Sequence, residues 1–201
     1  MKCNRPDFLN IDSTAKKDIT EDRPELPDKL TDCLTGKEIP FSNRDNIRQK
    51  ALKFLIEEKG YLKTDISVDR KIRFELDGLD TVSPVDISIS IDNKTLVVWK
   101  CSSGSLVSRE RQIIASARLL EEYVVPFAVV TNGKDLELLD TLSEKINSEG
   151  FASLPSRQEL AEISKTISIK PKGKRKILNE QRILYTYDAI SCNAYCKEDN
   201  S

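Results

Sequence analysis

The chain has 201 residues and a formal net charge of −1, so any contact with nucleic acid has to come from a local basic patch rather than from the charge of the whole chain. It contains no histidine, which excludes Ser-His-Asp hydrolysis, Cys-His proteolysis and zinc sites with histidine ligands. The length predicts one domain with one hydrophobic core and some peripheral segments.

The cysteines and the N terminus indicate the compartment. The five cysteines are odd in number and scattered, which favours a reducing, cytoplasmic location over a disulfide framework. Cys192 and Cys196 have no second pair to complete a metal site, so we interpret them as free thiols. The sequence MKCNRPDFLN has no apolar run of signal-peptide length, and no longer stretch has the composition of a transmembrane helix. We therefore expect no membrane partner.

The first half of the chain predicts an arm, a helix and three strands. Residues 1–42 have no regular hydrophobic period, and we expect an extended N-terminal arm. From Asn46, apolar residues recur at helical spacing until Gly60 provides a stop signal. The segments ISVDRKIRFEL, VDISISI and TLVVWKC then show alternating or continuous apolar residues, which are typical of strands.

The second half predicts a helix, two short strands and a helical end. Helical spacing returns from Leu106 to Tyr123, and the strands VPFAVVT and LELLDT follow. A helix-start signal stands in LPSRQELAEIS, and the basic run KPKGKRK precedes the final segment. The order of elements predicts one α/β domain over residues 43–142, followed by a helical, basic C-terminal extension over residues 143–201.

The loop between the second and third strands decides which polar side chains meet. If residues 92–94 form the loop, Asp86 lies opposite Lys100. If only residues 92–93 form it, Asp86 lies opposite Trp99 and Lys100 points to the other face. Both registers are compatible with the sequence.

Glu110 is the third candidate for a catalytic site. It lies on the same helical stripe as Leu106 and Ile113, so we expect its carboxylate to face the sheet near Lys100 and, in the first register, near Asp86. Two carboxylates and a lysine at a strand end can bind Mg²⁺ and orient a water for attack on a phosphodiester. The candidate catalytic residues are therefore Asp86, Lys100 and Glu110, with Asp86 and Glu110 as metal ligands.

Several segments together resemble a known family. From Asn43 to about Asp140, the segments NRDNIRQKALKFLIEEKGY, VDISISID, LVVWK, SRERQIIASARLL and PFAVVTNGKDLELLD resemble the N-terminal domain of type I restriction enzyme R subunits, within the restriction-endonuclease-like PD-(D/E)xK superfamily. The segment KCSSGSLVSRER resembles small stand-alone proteins with this domain. The resemblance implies an αβββαβ core with a mixed central sheet flanked by helices. It also implies a Mg²⁺-dependent DNA endonuclease with nucleic acid as the partner. Many relatives in the superfamily act as dimers, which makes a homodimer one possible assembly.

The family's site residues transfer only in part. Its strand aspartate falls on Asp86 and its lysine on Lys100, whereas the glutamate two residues before that lysine falls on Val98, which cannot bind a metal. Some members of the superfamily carry the acidic ligand on the following helix, where Glu110 stands. Asp45 matches an acidic position on the family's first helix.

Polar residues around the start of the second predicted helix are candidate substrate contacts: Ser105, Ser108, Arg109, Arg111 and Gln112. Gln112 resembles the glutamine that often follows the family's active-site strand. Each also has an ordinary structural interpretation as a turn, helix-start or ion-pair residue.

Three functions are therefore compatible with the sequence. The first is a metal-dependent nuclease. The second is a catalytically inactive relative that binds nucleic acid or a partner protein, which Val98 favours. The third is an interaction domain without a nucleic-acid role, which the near-zero net charge favours. The chain has no GxxxxGK[ST] phosphate loop, so we expect any cleavage to be independent of ATP hydrolysis within this polypeptide.

Overall fold

The computed structural model describes residues 27–195. For residues 174–175 and 189–195 it describes the backbone only. The helices are Asn43–Glu57 (α1), Val107–Leu119 (α2), Arg157–Thr166 (α3) and Lys174–Tyr195 (α4), with short 3₁₀ helices at Lys63–Asp65 and Phe151–Ser153. The strands are Lys29–Thr31 (β1), Glu38–Pro40 (β2), Ile66–Leu76 (β3), Leu79–Ile91 (β4), Lys94–Cys101 (β5), Tyr123–Val124 (β6), Phe127–Thr131 (β7), Leu136–Asp140 (β8), Lys145–Glu149 (β9) and Lys170–Pro171 (β10).

A six-stranded mixed sheet forms the centre of the molecule, in the order β3-β4-β5-β7-β8-β9. Only β5 and β7 pair in parallel within this sheet, and α2 makes the crossover that a parallel pair requires. The mixed α/β class and the αβββαβ order predicted from the sequence are confirmed. The sheet continues past residue 142, because β9 adds one more strand at its edge.

Hydrophobic clusters cover both faces of the sheet. One cluster joins α1 and α3 to the sheet through residues such as Leu52, Leu160 and Trp99. The other joins α2 and α4 to the opposite face through residues such as Ile113 and Leu184. The molecule is therefore a three-layer arrangement with two helices on each face. None of the helices within residues 27–195 is long and apolar enough to cross a membrane.

The turn between β4 and β5 contains two residues. Ile91 pairs with Lys94, and Asp92 and Asn93 between them both have positive φ angles, of 49° and 61°. Asparagine and aspartate adopt this left-handed conformation more readily than most residues, and a two-residue turn of this kind matches the twist of the strands. The loop is thus the shorter of the two alternatives.

A β-bulge then shifts the pairing of β4 and β5 into the register that was predicted for a three-residue loop. The pairing shifts between Ile89 and Ser90 of β4, and Leu96 is the extra residue on β5. Beyond the bulge Ile87 pairs with Trp99, so the next residues along the hairpin, Asp86 and Lys100, follow opposite each other. A two-residue loop and a bulge together produce the arrangement that the sequence assigned to a three-residue loop.

The predicted N-terminal arm contains a folded part. Strands β1 and β2 form an antiparallel hairpin, whereas residues 1–26 lie outside the described range. Asp32 accepts hydrogen bonds from the backbone of the turn at Leu34 and Thr35, and Gln49 of α1 donates to Asp32 over 3.0 Å. Gln49 also accepts from the Cys33 backbone over 2.7 Å. Polar contacts with Gln49, together with the packing of Cys33 and Leu34 against the core, hold this hairpin on α1.

A buried ion pair fastens α4 to α2. Arg118 donates to Glu180 over 2.7 Å, and the two side chains are only 7% and 3% exposed. Arg118 also pairs with Glu144 over 2.7 Å and donates to the Thr141 carbonyl over 2.8 Å. Arg111 adds a second cation beside Glu180 at 3.0 Å. The position of α4 therefore depends on compensated charges as well as on apolar packing.

We expect Glu180→Gln to reduce the free energy of unfolding by about 3 kcal/mol, because it leaves the buried Arg118 without its main counter-charge. Urea unfolding measures the loss. The matched control is Glu162→Gln, which removes an exposed ion pair with Lys165 and should change the free energy by less than about 0.5 kcal/mol. Equal losses in the two variants would contradict a special contribution of the buried pair.

Candidate functional site

A cleft of ≈ 560 Å³ opens where β5 ends, between the start of α1 and the start of α2. It is lined by Ser42, Asn43, Arg44, Pro84, Lys100, Cys101, Ser102, Ser103, Arg109, Gln112 and Asp188. These residues come from both ends of the described chain, so the cleft exists only in the folded molecule. The lining includes three basic side chains.

Asp86 lies beneath this cleft and is 0% exposed. Its Oδ1 accepts hydrogen bonds from Arg44, from Nε over 2.7 Å and from Nη2. Its Oδ2 accepts from the backbone N–H of Cys101 over 2.6 Å. Burial by itself lowers the pKa of Arg44, but Asp86 outweighs that effect and the pKa is raised. The carboxylate is therefore buried as a fully compensated charge.

Lys100 lies beside Asp86, as one of the two predicted registers requires. Its Nζ is 4.0 Å from Asp86 Oδ1 and donates to the Pro84 carbonyl over 3.4 Å. The side chain is largely buried, yet the residue lines the cleft. The structure thus brings together the two residues that match the family's strand aspartate and lysine.

The start of α1 is fixed by a chain of polar contacts. Ser42 caps the helix by accepting from the Asp45 backbone over 3.0 Å, and it donates to the Asp45 carboxylate over 2.6 Å. Asp45 pairs with Arg48 over 2.8 Å, and Arg48 pairs with Asp69 over 2.6 Å. Asp45 was aligned with an acidic position of the family. In the structure its contacts with Ser42 and Arg48 stabilise the start of α1. These contacts hold the adjacent Arg44 over Asp86.

Asp188 of α4 is an acidic cleft residue that the sequence interpretation missed. It is 9% exposed; its Oδ1 accepts from Gln112 over 3.0 Å, and its Oδ2 is buried and accepts no hydrogen bond within the described residues. Burial raises the pKa of Asp188 and Asp86 adds to the rise, while the Ser83 hydroxyl, Lys100 and Arg109 oppose it. The helical spacing could have indicated that Asp188 faces inward, because residue 188 lies one helical turn after the buried Leu184.

Glu110 is not brought to Asp86. It is half-buried, it does not line the cleft, and its charge acts on Glu137 of β8, whose pKa burial raises and Glu110 raises further. Successive helix residues differ in direction by about 100°. The first turn of α2 directs Arg109 towards the cleft, so Glu110 points towards β8 instead.

The five candidate substrate contacts divide into two groups. Arg109 and Gln112 line the cleft, and Arg109 donates to Gln112 over 3.2 Å. Arg111 faces α4 through its ion pair with Glu180. Ser108 donates to the Ser105 carbonyl over 2.7 Å, and Ser105 lines a different depression. Arg109 and Gln112 are the two that a ligand in this cleft can contact.

The residues of the cleft do not fit a divalent cation as they are arranged. Both oxygens of Asp86 accept hydrogen bonds and the side chain has no exposed surface. Val98 is buried in the apolar cluster against α2, and Asp188 offers a single free oxygen. Among the side chains that the structure describes, within residues 27–188, no group of three or more acidic or cysteine side chains is placed to hold a metal ion. Mg²⁺ ligation by Asp86 and Glu110 stays a prediction from the sequence.

Comparison with known proteins identifies the central part of the chain. Residues 43–155 match the family model for the N terminus of type I restriction enzyme R proteins. The match covers more than half of the chain and spans α1, the whole central sheet, Asp86 and Lys100, whereas Asp188 lies beyond it. Searches of curated proteins and of solved structures gave no significant match.

The raised pKa of Asp188 predicts a pH-dependent effect of Asp188→Asn. The folded state binds more protons than the unfolded state between the usual value of 3.8 and the raised folded value, so ionisation of Asp188 lowers stability as the pH rises through that window. Asparagine does not titrate. We expect the stability of the variant relative to wild type to increase from acid to neutral pH, as measured by urea unfolding. A difference that is constant with pH would contradict this.

Proposed function

Because the chain belongs to the family of type I restriction enzyme R protein N termini, we propose that it binds nucleic acid, with DNA as the partner that the family implies, through the cleft at the end of β5. The observation that carries the proposal is that Arg44, Lys100 and Arg109 line this one cleft. Basic side chains of this kind supply most of the affinity for a phosphate backbone. The local charge therefore differs from that of the nearly neutral chain.

The acidic residues near the cleft do not cancel this local charge. Asp86 is buried and paired with Arg44 at the edge of the cleft, with Lys100 next to it. Asp69, outside the lining, lies 3.5 Å from Arg44 and also pairs with Arg48, so the excess of positive charge is confined to the lining itself. Asp188 is the single acidic residue in the lining, against the three basic side chains of Arg44, Lys100 and Arg109.

Further groups of the lining suit a phosphodiester. Ser102 and Ser103 follow Lys100 at the strand end and add hydroxyl donors. Arg109 stands over the ring of Tyr187 with 5.8 Å between the guanidinium carbon and the ring centroid, which favours an extended arginine at the rim of the cleft. The end of β5 thus offers charged and neutral donors side by side.

Hydrolysis is the second candidate, and the adjacency of Asp86 and Lys100 at the strand end favours it. In the predicted form it uses Asp86, Lys100 and Glu110 with Mg²⁺, and it requires both that Arg44 release Asp86 and that Glu110 turn from β8 towards the cleft. Nicking of plasmid DNA in the presence of Mg²⁺ by the wild type, abolished in Asp86→Asn, would establish this activity in place of binding alone. The homodimer and the cytoplasmic location stay predictions from the sequence.

Arg109→Ala tests the binding proposal. We expect the variant to bind fluorescently labelled duplex DNA about 5- to 10-fold more weakly than wild type and to show a salt dependence reduced by about one ion, because one phosphate contact is lost. Fluorescence anisotropy at several salt concentrations measures both quantities.

The matched control is Lys53→Ala, which removes an exposed basic side chain of α1 that pairs with Glu57 over 3.8 Å. It should leave DNA affinity within about twofold of wild type. No binding of duplex or single-stranded DNA by the wild type at low salt, or equal losses in the two variants, would refute the proposal.

A further inference from the structure

We infer that the guanidinium of Arg44 takes the place of a divalent cation beside Asp86, so that this cleft binds phosphate without a metal ion. The identity of the ligand rests on the proposed function above. The replacement of the metal by Arg44 rests on the contacts around Asp86 alone and is tested separately.

The first support is the way in which Asp86 is occupied. Two nitrogens of Arg44 donate to the same carboxylate oxygen, and the backbone of Cys101 holds the other oxygen. Because the carboxylate has no exposed surface, a metal ion could reach it only by displacing the arginine or the strand-end amide. Both donors are set by the fold, the first by the capped start of α1 and the second by the register of β5.

The second support is electrostatic. Arg44 and Lys100 both lie within ion-pair distance of Asp86 Oδ1, so this single negative charge already faces two positive ones. A divalent cation brought to the same oxygen would be repelled by both, and this repulsion acts at short range in a poorly solvated place. The arrangement suits an anion approaching from the cleft and opposes a further cation.

The third support is the partial exposure of Arg44. Its side chain is 39% exposed and lines the cleft, although one edge contacts a carboxylate without any exposed surface. A guanidinium has five N–H donors in a planar fork. Nε and Nη2 of Arg44 face Asp86, and Nη2 is also 3.5 Å from Asp69, which leaves the Nη1 donors for a phosphate. Arginine bridges carboxylate and phosphate as a metal does, but it does not lower the pKa of a bound water as a metal does. Binding without metal-dependent hydrolysis is the consequence.

The experiment is a calorimetric titration of Mg²⁺ and Mn²⁺ into the full chain without DNA. We expect no saturable heat with wild type, one saturable site in Arg44→Ala, and loss of that site in the double variant Arg44→Ala with Asp86→Asn. Saturable Mn²⁺ binding by the wild type that Asp86→Asn abolishes would overturn the inference. So would a correctly folded Arg44→Ala variant that binds neither metal.

A second measurement uses wild type alone, in case Arg44→Ala does not fold as judged by circular dichroism. We expect DNA affinity in EDTA and in Mg²⁺, at matched ionic strength, to agree within about twofold, whereas a metal-bridged phosphate contact would lose about tenfold in EDTA. The tenfold loss would overturn the inference. Absence of any DNA binding would refute the proposed function, and the metal titration would still test the role of Arg44.

Discussion

The burial of the Asp86 carboxylate is the constraint on which the arrangement of the cleft depends. A charge without exposed surface is tolerated only where donors surround it. Here the donors come from α1, through Arg44, and from β5, through the Cys101 amide, and the Lys100 ammonium adds a positive charge 4.0 Å away. One charge therefore fixes the start of a helix against the end of a strand pair, and the cleft lies at this junction.

The order of the elements could be predicted from the sequence because it depends on hydrophobic period, which survives without tertiary contacts. The register of the hairpin could not, since the extra residue Leu96 stands in an apolar run where a bulge leaves no mark on the pattern. Strand β9 was not predicted from the sequence because it lacks a pattern of apolar residues rather than because it lies in a continuous apolar run. It is a mostly exposed edge strand with the polar sequence KINSE, so it carries no apolar alternation.

The candidate site was predictable to the extent that it is local or shared with the family. Asp86 and Lys100 follow from the strand pattern and the resemblance, and the structure places them together. The contact of Arg44 with Asp86 spans 42 positions, and that of Gln112 with Asp188 spans 76. Pairings over such distances are set by how helices pack on the sheet, which no spacing rule contains. The direction of the Glu110 side chain was mispredicted because one helical step of about 100° separates it from Arg109, which faces the cleft.

Helix α4 lies outside the segment that matches the family, yet it covers one face of the sheet and supplies a wall of the cleft. Its attachment through Glu180 and its cleft residue Asp188 are two turns apart on the same helix. Substitutions at the cleft end of α4 can thus alter the polarity and width of the opening while the Asp86 junction stays unchanged. In this architecture, the family-matched segment can keep its residues while ligand preference changes through α4.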